Sequence, residues 1–140
     1  MPAGWFEMKI GVIMYQTSLS KGQELVAQRM TREFRKIGDE AYLIAGPYHD
    51  GKRVISSDLL ERSVDGYVRD DRDPRVPVLR VDGYTSTWPP RRIMLRNFVG
   101  TLRRIVDRFA IDVLISHSTL WNGPEAVSYT HLTLPTILRV

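Results

Sequence analysis

The sequence predicts an α/β fold in which a parallel sheet carries helices on its faces. Three observations lead there. Short apolar runs of strand length recur at 9–14, 41–45, 78–81 and 112–116, and their consecutive apolar positions are those of strands buried on both faces. Two longer stretches, 21–37 and 91–109, space their apolar residues three or four apart, the period of an amphipathic helix. The strand-like and helix-like stretches alternate, and strand–helix–strand is the crossover unit of parallel sheets.

The first unit is the clearest. Lys9-Ile10-Gly11-Val12-Ile13-Met14 is a strand, and Tyr15 to Ser20 a polar loop. Lys21-Gly22-Gln23-Glu24 opens a helix with Val26, Met30, Phe34 and Ile37 as its apolar stripe. Gly38 ends it, as a glycine after a helix commonly does, and Ala41 to Ala45 is the second strand. Gly46 to Gly51 is a turn by composition. The span 52–67 is ambiguous, with Ser56-Ser57-Asp58 able to cap a short helix through Glu61. Arg69 to Pro77, dense in charge and holding two prolines, reads as a solvated loop. Val78 to Val81 is a strand closed by Asp82-Gly83, and Tyr84 to Pro90 a loop. Arg91 to Phe109 reads as the second helix, with Pro89-Pro90 preparing it and Leu95, Phe98, Leu102, Ile105 and Phe109 on its buried side. Asp112 to Ser116 is the next strand, and Trp121 to Ala126 has the look of another helix start.

The 140 residues, 43% hydrophobic and 26% charged, suffice for one domain with a core. The chain has no cysteine, which removes disulfides and thiolate metal sites and fits a reducing, cytoplasmic setting. No apolar run approaches the roughly 20 residues of a membrane helix. Met1 to Glu7 reads as a disordered leader lacking a signal-like basic start, and Met8 is an alternative first residue. A net charge of +4 allows anionic partners without calling for nucleic acid.

Ligands of parallel α/β sheets sit beyond the carboxyl ends of the strands, so the loop and helix start at Ser18 to Glu24 form the first candidate site. Free N–H groups and a partial positive charge at a helix start favour phosphate; Gly22 permits close backbone approach and Lys21 adds charge. Capping by Ser20 and a packing role for Gly22 would explain the same residues. Neither G-x-G-x-x-G nor G-x-x-x-x-G-K-[ST] occurs, which argues against dinucleotide and ATP sites of those types. The second candidate is His117, just past the strand ending at Ser116, able to donate to a sugar or act as a base, or else to cap or pack. The third is a basic side of the second helix, Arg92, Arg96 and Arg103 with Arg104 and Arg108 nearby. It suits anionic lipid at a peripheral membrane contact on the inner face, or is a solvated face. Trp88 and Trp121 can stack on a sugar or pack. His49, His117 and His131 lack metal-ligand spacing, so neither metal nor cofactor is expected.

Lys21-Gly22-Gln23-Glu24, continuous through Gly38-Asp39-Glu40-Ala41, together with Asp112 to His117, resembles the amino-terminal half of family-4 glycosyltransferases of the GT-B fold. These open with a strand, a Gly-Gly-x-Glu helix start and an Arg-Gly-His-Glu-Val type turn; Lys21 stands where the first glycine would be. The resemblance covers most of 8–126 and implies a Rossmann-like, acceptor-side domain, incomplete here, of a retaining, metal-independent enzyme. A nucleotide-sugar donor would be held mainly by a second domain absent from this chain. Lys21 and Gly22 would face the donor phosphates, His117 the reacting sugar, and Gln23, Glu24 and Ser118 a sugar or lipid-linked acceptor. The isolated chain would be inactive. A stand-alone Rossmann-like binding or regulatory module is the alternative, and a nucleotide-sugar epimerase or dehydrogenase is disfavoured by the missing glycine fingerprint.

Residues 127–140 resemble translated sequencing-library adapter DNA of the transposase type: Val127 through Thr136 match it residue for residue. This marks 127–140 as a non-native tail, a β-prone natural tail being the other reading.

Overall fold

A computed structural model describes residues 7–20, 22–85 and 93–116, and the backbone of 136–139. It is α/β, with a mostly parallel sheet flanked by helices. β1 (Lys9–Ile13) feeds α1 (Gly22–Lys36), which returns to β2 (Glu40–Ala45). Gly38, at φ +101°, makes the left-handed turn between α1 and β2. The path from β2 to the next parallel strand is broken into small pieces. These are a hairpin of β3 (Tyr48–His49) and β4 (Lys52–Arg53), a short α2 (Ser57–Arg62) and β5 (Tyr67–Asp70). Ser56 caps α2 by accepting the Leu59 N–H at 3.2 Å. Then come β6 (Val78–Val81), a second hairpin of β7 (Gly83–Thr85) and β8 (Ile93–Leu95), α3 (Phe98–Phe109), β9 (Val113–Ser116) and β10 (Thr136–Arg139).

The sheet order is β10-β9-β1-β2-β6-β5. β9, β1, β2 and β6 are parallel, and β5 and β10 run antiparallel along the two outer edges. Side chains alternate across the pleat. Ile13, Ile44, Leu79 and Val81 face α3, where Phe98, Leu102 and Ile105 bury against them. Ile10, Val12, Leu43 and Val78 belong to the other cluster, with Ala27 of α1.

Three expectations about individual elements are overturned. The stripe of α1 holds only in part: Met30 and Phe34 pack on the core, but Val26 and Ile37 are 49% and 75% exposed, and Glu24, Ala27 and Thr31 are buried instead. Spacing alone gives several overlapping arcs on a helix, and the polar Glu24 and Thr31 disguised the inward one. The Thr31 hydroxyl is satisfied by donating to the Ala27 carbonyl at 2.9 Å. The second helix starts at Phe98, not Arg91, because Ile93–Leu95 pairs with Gly83–Thr85 as a hairpin. Asp82-Gly83 therefore leads from one strand directly into another. The charged stretch from Arg69 is not wholly solvated either, since Asp70 ends β5 and is buried.

β10 falls in the segment that reads as adapter. Its Thr-Ile-Leu-Arg sequence is β-prone, and β9 offers it the unpaired edge to which an extended segment adds. Trp88, the helix start at Trp121 and all of the Met1–Glu7 leader but Glu7 lie outside the described residues.

Candidate functional site

The site lies beyond the carboxyl ends of β1 and β2. The chain leaving β1 is tied to the chain leaving β2. Gly46 donates its N–H to the Tyr15 carbonyl at 2.8 Å, Thr17 to Tyr48 at 3.2 Å, and Asp50 to Thr17 at 2.9 Å. Gly46 has no room for a side chain, because a Cβ there would meet the Tyr15 carbonyl oxygen at 2.6 Å. Asp50-Gly51 form the tip of the β3–β4 hairpin, with φ of 50° and 79°, both left-handed as a two-residue type I′ turn requires.

That hairpin tip reaches the β1–α1 loop. The Asp50 carboxylate accepts from the Ser18 hydroxyl and, at 3.2 Å, from the Leu19 N–H. Gln28 of α1 accepts the Ser18 N–H at 2.7 Å, the Ser18 hydroxyl accepts the Ser20 N–H at 3.0 Å, and Gln16 accepts the Gly51 N–H at 2.9 Å. Three successive loop amides are thus held by protein groups.

Beneath it stands Arg80, 3% exposed, in the middle of β6. The pleat puts Leu79 and Val81 toward α3 and Arg80 toward α1. Its guanidinium donates Nε–H to Asp70 at 3.1 Å, Nη1–H to the carbonyls of Gly46 and Tyr48 at 2.9 Å each, and Nη2–H to Thr17 Oγ1 at 2.9 Å. One side chain therefore binds β5, the exit of β2 and the exit of β1. Burial pulls the Arg80 guanidinium below its ordinary value while the Asp70 charge pushes it back up; it stays a cation, as arginine does in proteins. Thr17 Oγ1 lies 2.6 Å from His49 Nδ1. A Thr17 proton given to Nδ1 would leave the imidazole proton on Nε2, 3.6 Å from Asp50.

A cavity of about 240 Å³ opens beside this network, between α1 and the β5–β6 edge. Thr17, Gln28, His49, Asp70 and Arg80 contribute to its wall.

Of the residues singled out in the sequence, Gly22 is the first residue of α1 and is exposed, Gln23 is exposed, and Glu24 is buried in the first turn. A Cβ on Gly22 would meet nothing within 4 Å, so packing does not call for the glycine. Lys21, His117 and Ser118 lie outside the described residues. Their places in the chain are nonetheless informative. Ile13 and Ser116 are opposite one another in the parallel β1–β9 pair, so both strands finish at the same end of the sheet. β1 lies between β2 and β9, the point where strand order reverses and crevices form. The arginine face does not hold as expected. Arg96 precedes α3 and stacks on Tyr84, 4.6 Å from the ring centre, while Arg103 is exposed on the helix and Arg92 is outside the described residues.

Sequence reasoning missed Arg80, Asp70, Thr17 and Gln28. Arg80 did carry a signal, since Val78-Leu79-Arg80-Val81 places a cation in a strand expected to be buried on both faces. Among the described residues no three His, Cys, Asp or Glu side chains gather into a metal-binding group. None of the described helices is long and apolar enough to cross a membrane. Comparison with protein-family models, with curated proteins and with solved structures finds no match to this chain.

Proposed function

We propose that this chain is the acceptor-side half of a retaining glycosyltransferase of the GT-B type, with the nucleotide of the sugar donor held mainly by a second domain. The supporting observation is topological. The two stretches that resemble the family, Lys21 to Glu24 and Asp112 to His117, belong to neighbouring parallel strands in register, the first coming after β1 and the second spanning β9. Both lead toward the end of the sheet where a donor phosphate and a reacting sugar would meet. In this reading Lys21 and Gly22 face the donor phosphates and His117 the sugar, while Gln23, Glu24 and Ser118 face a sugar or lipid-linked acceptor. Arg103 remains available to anionic lipid at a peripheral membrane contact.

The test begins with the source DNA, read across codon 126 by a method that uses no transposase adapter. A frame continuing into a second Rossmann-like domain of roughly 150–250 residues supports the proposal. The complete protein should then transfer sugar with retention of anomeric configuration. His117→Ala should lower its turnover at least tenfold, and the 140-residue chain alone should transfer none. Transfer by the short chain, or near-normal turnover of the His117 variant, would overturn these assignments. A binding or regulatory module is the second reading. It draws support from the three loop amides already held by Gln28, Asp50 and Ser18, and a native stop soon after β9 would favour it.

A further inference from the structure

We infer that the cavity between α1 and the β5–β6 edge binds a small neutral polyol of about monosaccharide size. The inference rests on the cavity wall alone and does not depend on the transferase reading. At about 240 Å³ the space is somewhat below the range typical of drug-sized ligands, roughly 300–1,000 Å³, which suits a single ring.

The wall excludes strong charge in the ligand. Its ions are already paired: Arg80 with Asp70 at 3.1 Å, Arg72 with Asp70 at 3.4 Å, and Asp73 with Arg75 at 3.1 Å. Of these pairs only Arg80 and Asp70 are buried on both sides, at 3% and 6% side-chain exposure; a charged ligand that drew either away would leave the other buried without its counter-ion, which is strongly destabilising. A hydroxyl group does not face this conflict, because it both donates and accepts. The wall offers both roles. Gln28 spends its oxygen on the Ser18 N–H, which leaves its NH₂ as a donor, and the carboxylate oxygens of Asp70 and Asp73 keep lone pairs. Leu19, Val76 and Val78 supply apolar surface for the C–H face of a ring. Three of the polar members, Thr17, Asp70 and Arg80, are at least nine-tenths buried and locked to one another, so the cavity's shape exists before any ligand arrives. Such pre-organisation lowers the ordering cost of binding.

The test titrates the 140-residue chain with methyl glucoside, methyl galactoside, methyl mannoside and myo-inositol, reading binding by calorimetry and by amide shifts in ¹⁵N spectra. At least one polyol is expected to bind with a millimolar dissociation constant and to shift the amides of Gln28, Val76 and Val78. Val76→Phe, which fills the space, should weaken that binding at least tenfold. Arg72→Met, on a largely exposed side chain, should weaken it several-fold with the fold intact, and serves if the phenylalanine variant does not fold. The proposal is overturned if no polyol shifts these amides. It is equally overturned if binding survives both variants, or if inorganic phosphate or uridine occupies the cavity and the polyols do not. Polyol binding without transfer by the complete protein would count against the transferase alone; transfer without polyol binding here would count against this cavity alone.

Discussion

On the α3 side of the sheet, Phe98, Leu102 and Ile105 pack on Ile13, Ile44, Leu79 and Val81. On the α1 side, Val12, Leu43 and Val78 of the same three strands are buried, with Arg80 of β6, Asp70 of the edge strand β5 and Thr17 of the loop after β1 buried as well. Alternate residues of one strand serve the two faces, so Leu79 and Arg80 are neighbours in sequence with different tasks. The α3 face is held by apolar area, which is non-directional and tolerant of small rearrangement. The α1 face has an apolar cluster too, but adds hydrogen bonds that fix where two loops sit, and each of those bonds is directional. Both faces thus contribute apolar burial, and the directional network that sets site geometry lies on the α1 side.

The largest expected effect comes from emptying the α3 side. Phe98 is fully buried, and Phe98→Ala should destabilise the chain by about 3–5 kcal/mol, measured by urea unfolding. Because the cavity is on the far face, any folded fraction should keep its polyol affinity. A loss of affinity in folded Phe98→Ala would show that the two faces are coupled.

The next largest concerns Arg80. Arg80→Met leaves Asp70 buried with only the exposed Arg72 beside it and takes a donor from the carbonyls of Gly46 and Tyr48, of which Tyr48 keeps the Thr17 N–H. Removing one partner of a buried pair costs about 3–5 kcal/mol, and the persistence of Arg72 points to the lower end. Asp70→Leu in the same chain should recover part of the loss, since apolar replacement of a whole buried pair is frequently neutral. A double-mutant cycle measures this. No recovery would mean that the bonds to Gly46, Tyr48 and Thr17, rather than the charge pair, are what Arg80 is for.

A smaller effect separates the faces by pH. Tyr42 packs on Phe109, with ring centres 4.8 Å apart. Burial, reinforced by Glu40, raises its phenol above the ordinary value of 10.0. A raised value means the folded state holds the proton more tightly than the unfolded state does. The stabilisation is therefore complete below pH 10 and disappears as pH climbs through the folded value. Stability should fall on the alkaline side, and Tyr42→Phe should flatten that fall. Some slope should remain, because Tyr67 is raised for the same principal reason. An unchanged slope in Tyr42→Phe would remove Tyr42 as its source.

The two faces also differ in how legible they were. The strands showed because Val12-Ile13, Leu43-Ile44 and Leu114-Ile115 put an apolar residue on each face in turn, a property of the local sequence. Arg80's partners did not show. Asp70 comes within reach through an antiparallel register that sets Asp70 opposite Val78 and Val68 opposite Arg80, and local composition encodes no register. Asp70 was further hidden among Arg69, Asp71, Arg72 and Asp73, which read as a solvated loop. The start of α3 failed for a related reason. Leu95 keeps helical spacing to Phe98 and is buried, but it lies in a hairpin strand, and only the pairing of Ile93–Leu95 with Gly83–Thr85 distinguishes the two cases.

Gly22 gives the smallest change in stability and the cleanest separation of fold from site. It is exposed at the first position of α1, and a Cβ there meets nothing within 4 Å. Alanine is the better helix former by up to about 1 kcal/mol and restricts the unfolded chain as well. Gly22→Ala should therefore leave the thermal midpoint of the chain unchanged or slightly raised. If the proposed transferase reading holds and the start of α1 receives donor phosphate by close backbone approach, the same variant in a chain that carries the second domain should weaken nucleotide-sugar binding several-fold, which calorimetry would detect. A lowered midpoint would show that the glycine serves the fold after all. An unchanged midpoint with unchanged donor affinity would move the phosphate away from this turn, and leave the α1 face with the Arg80 network and its cavity as the only built site among the described residues.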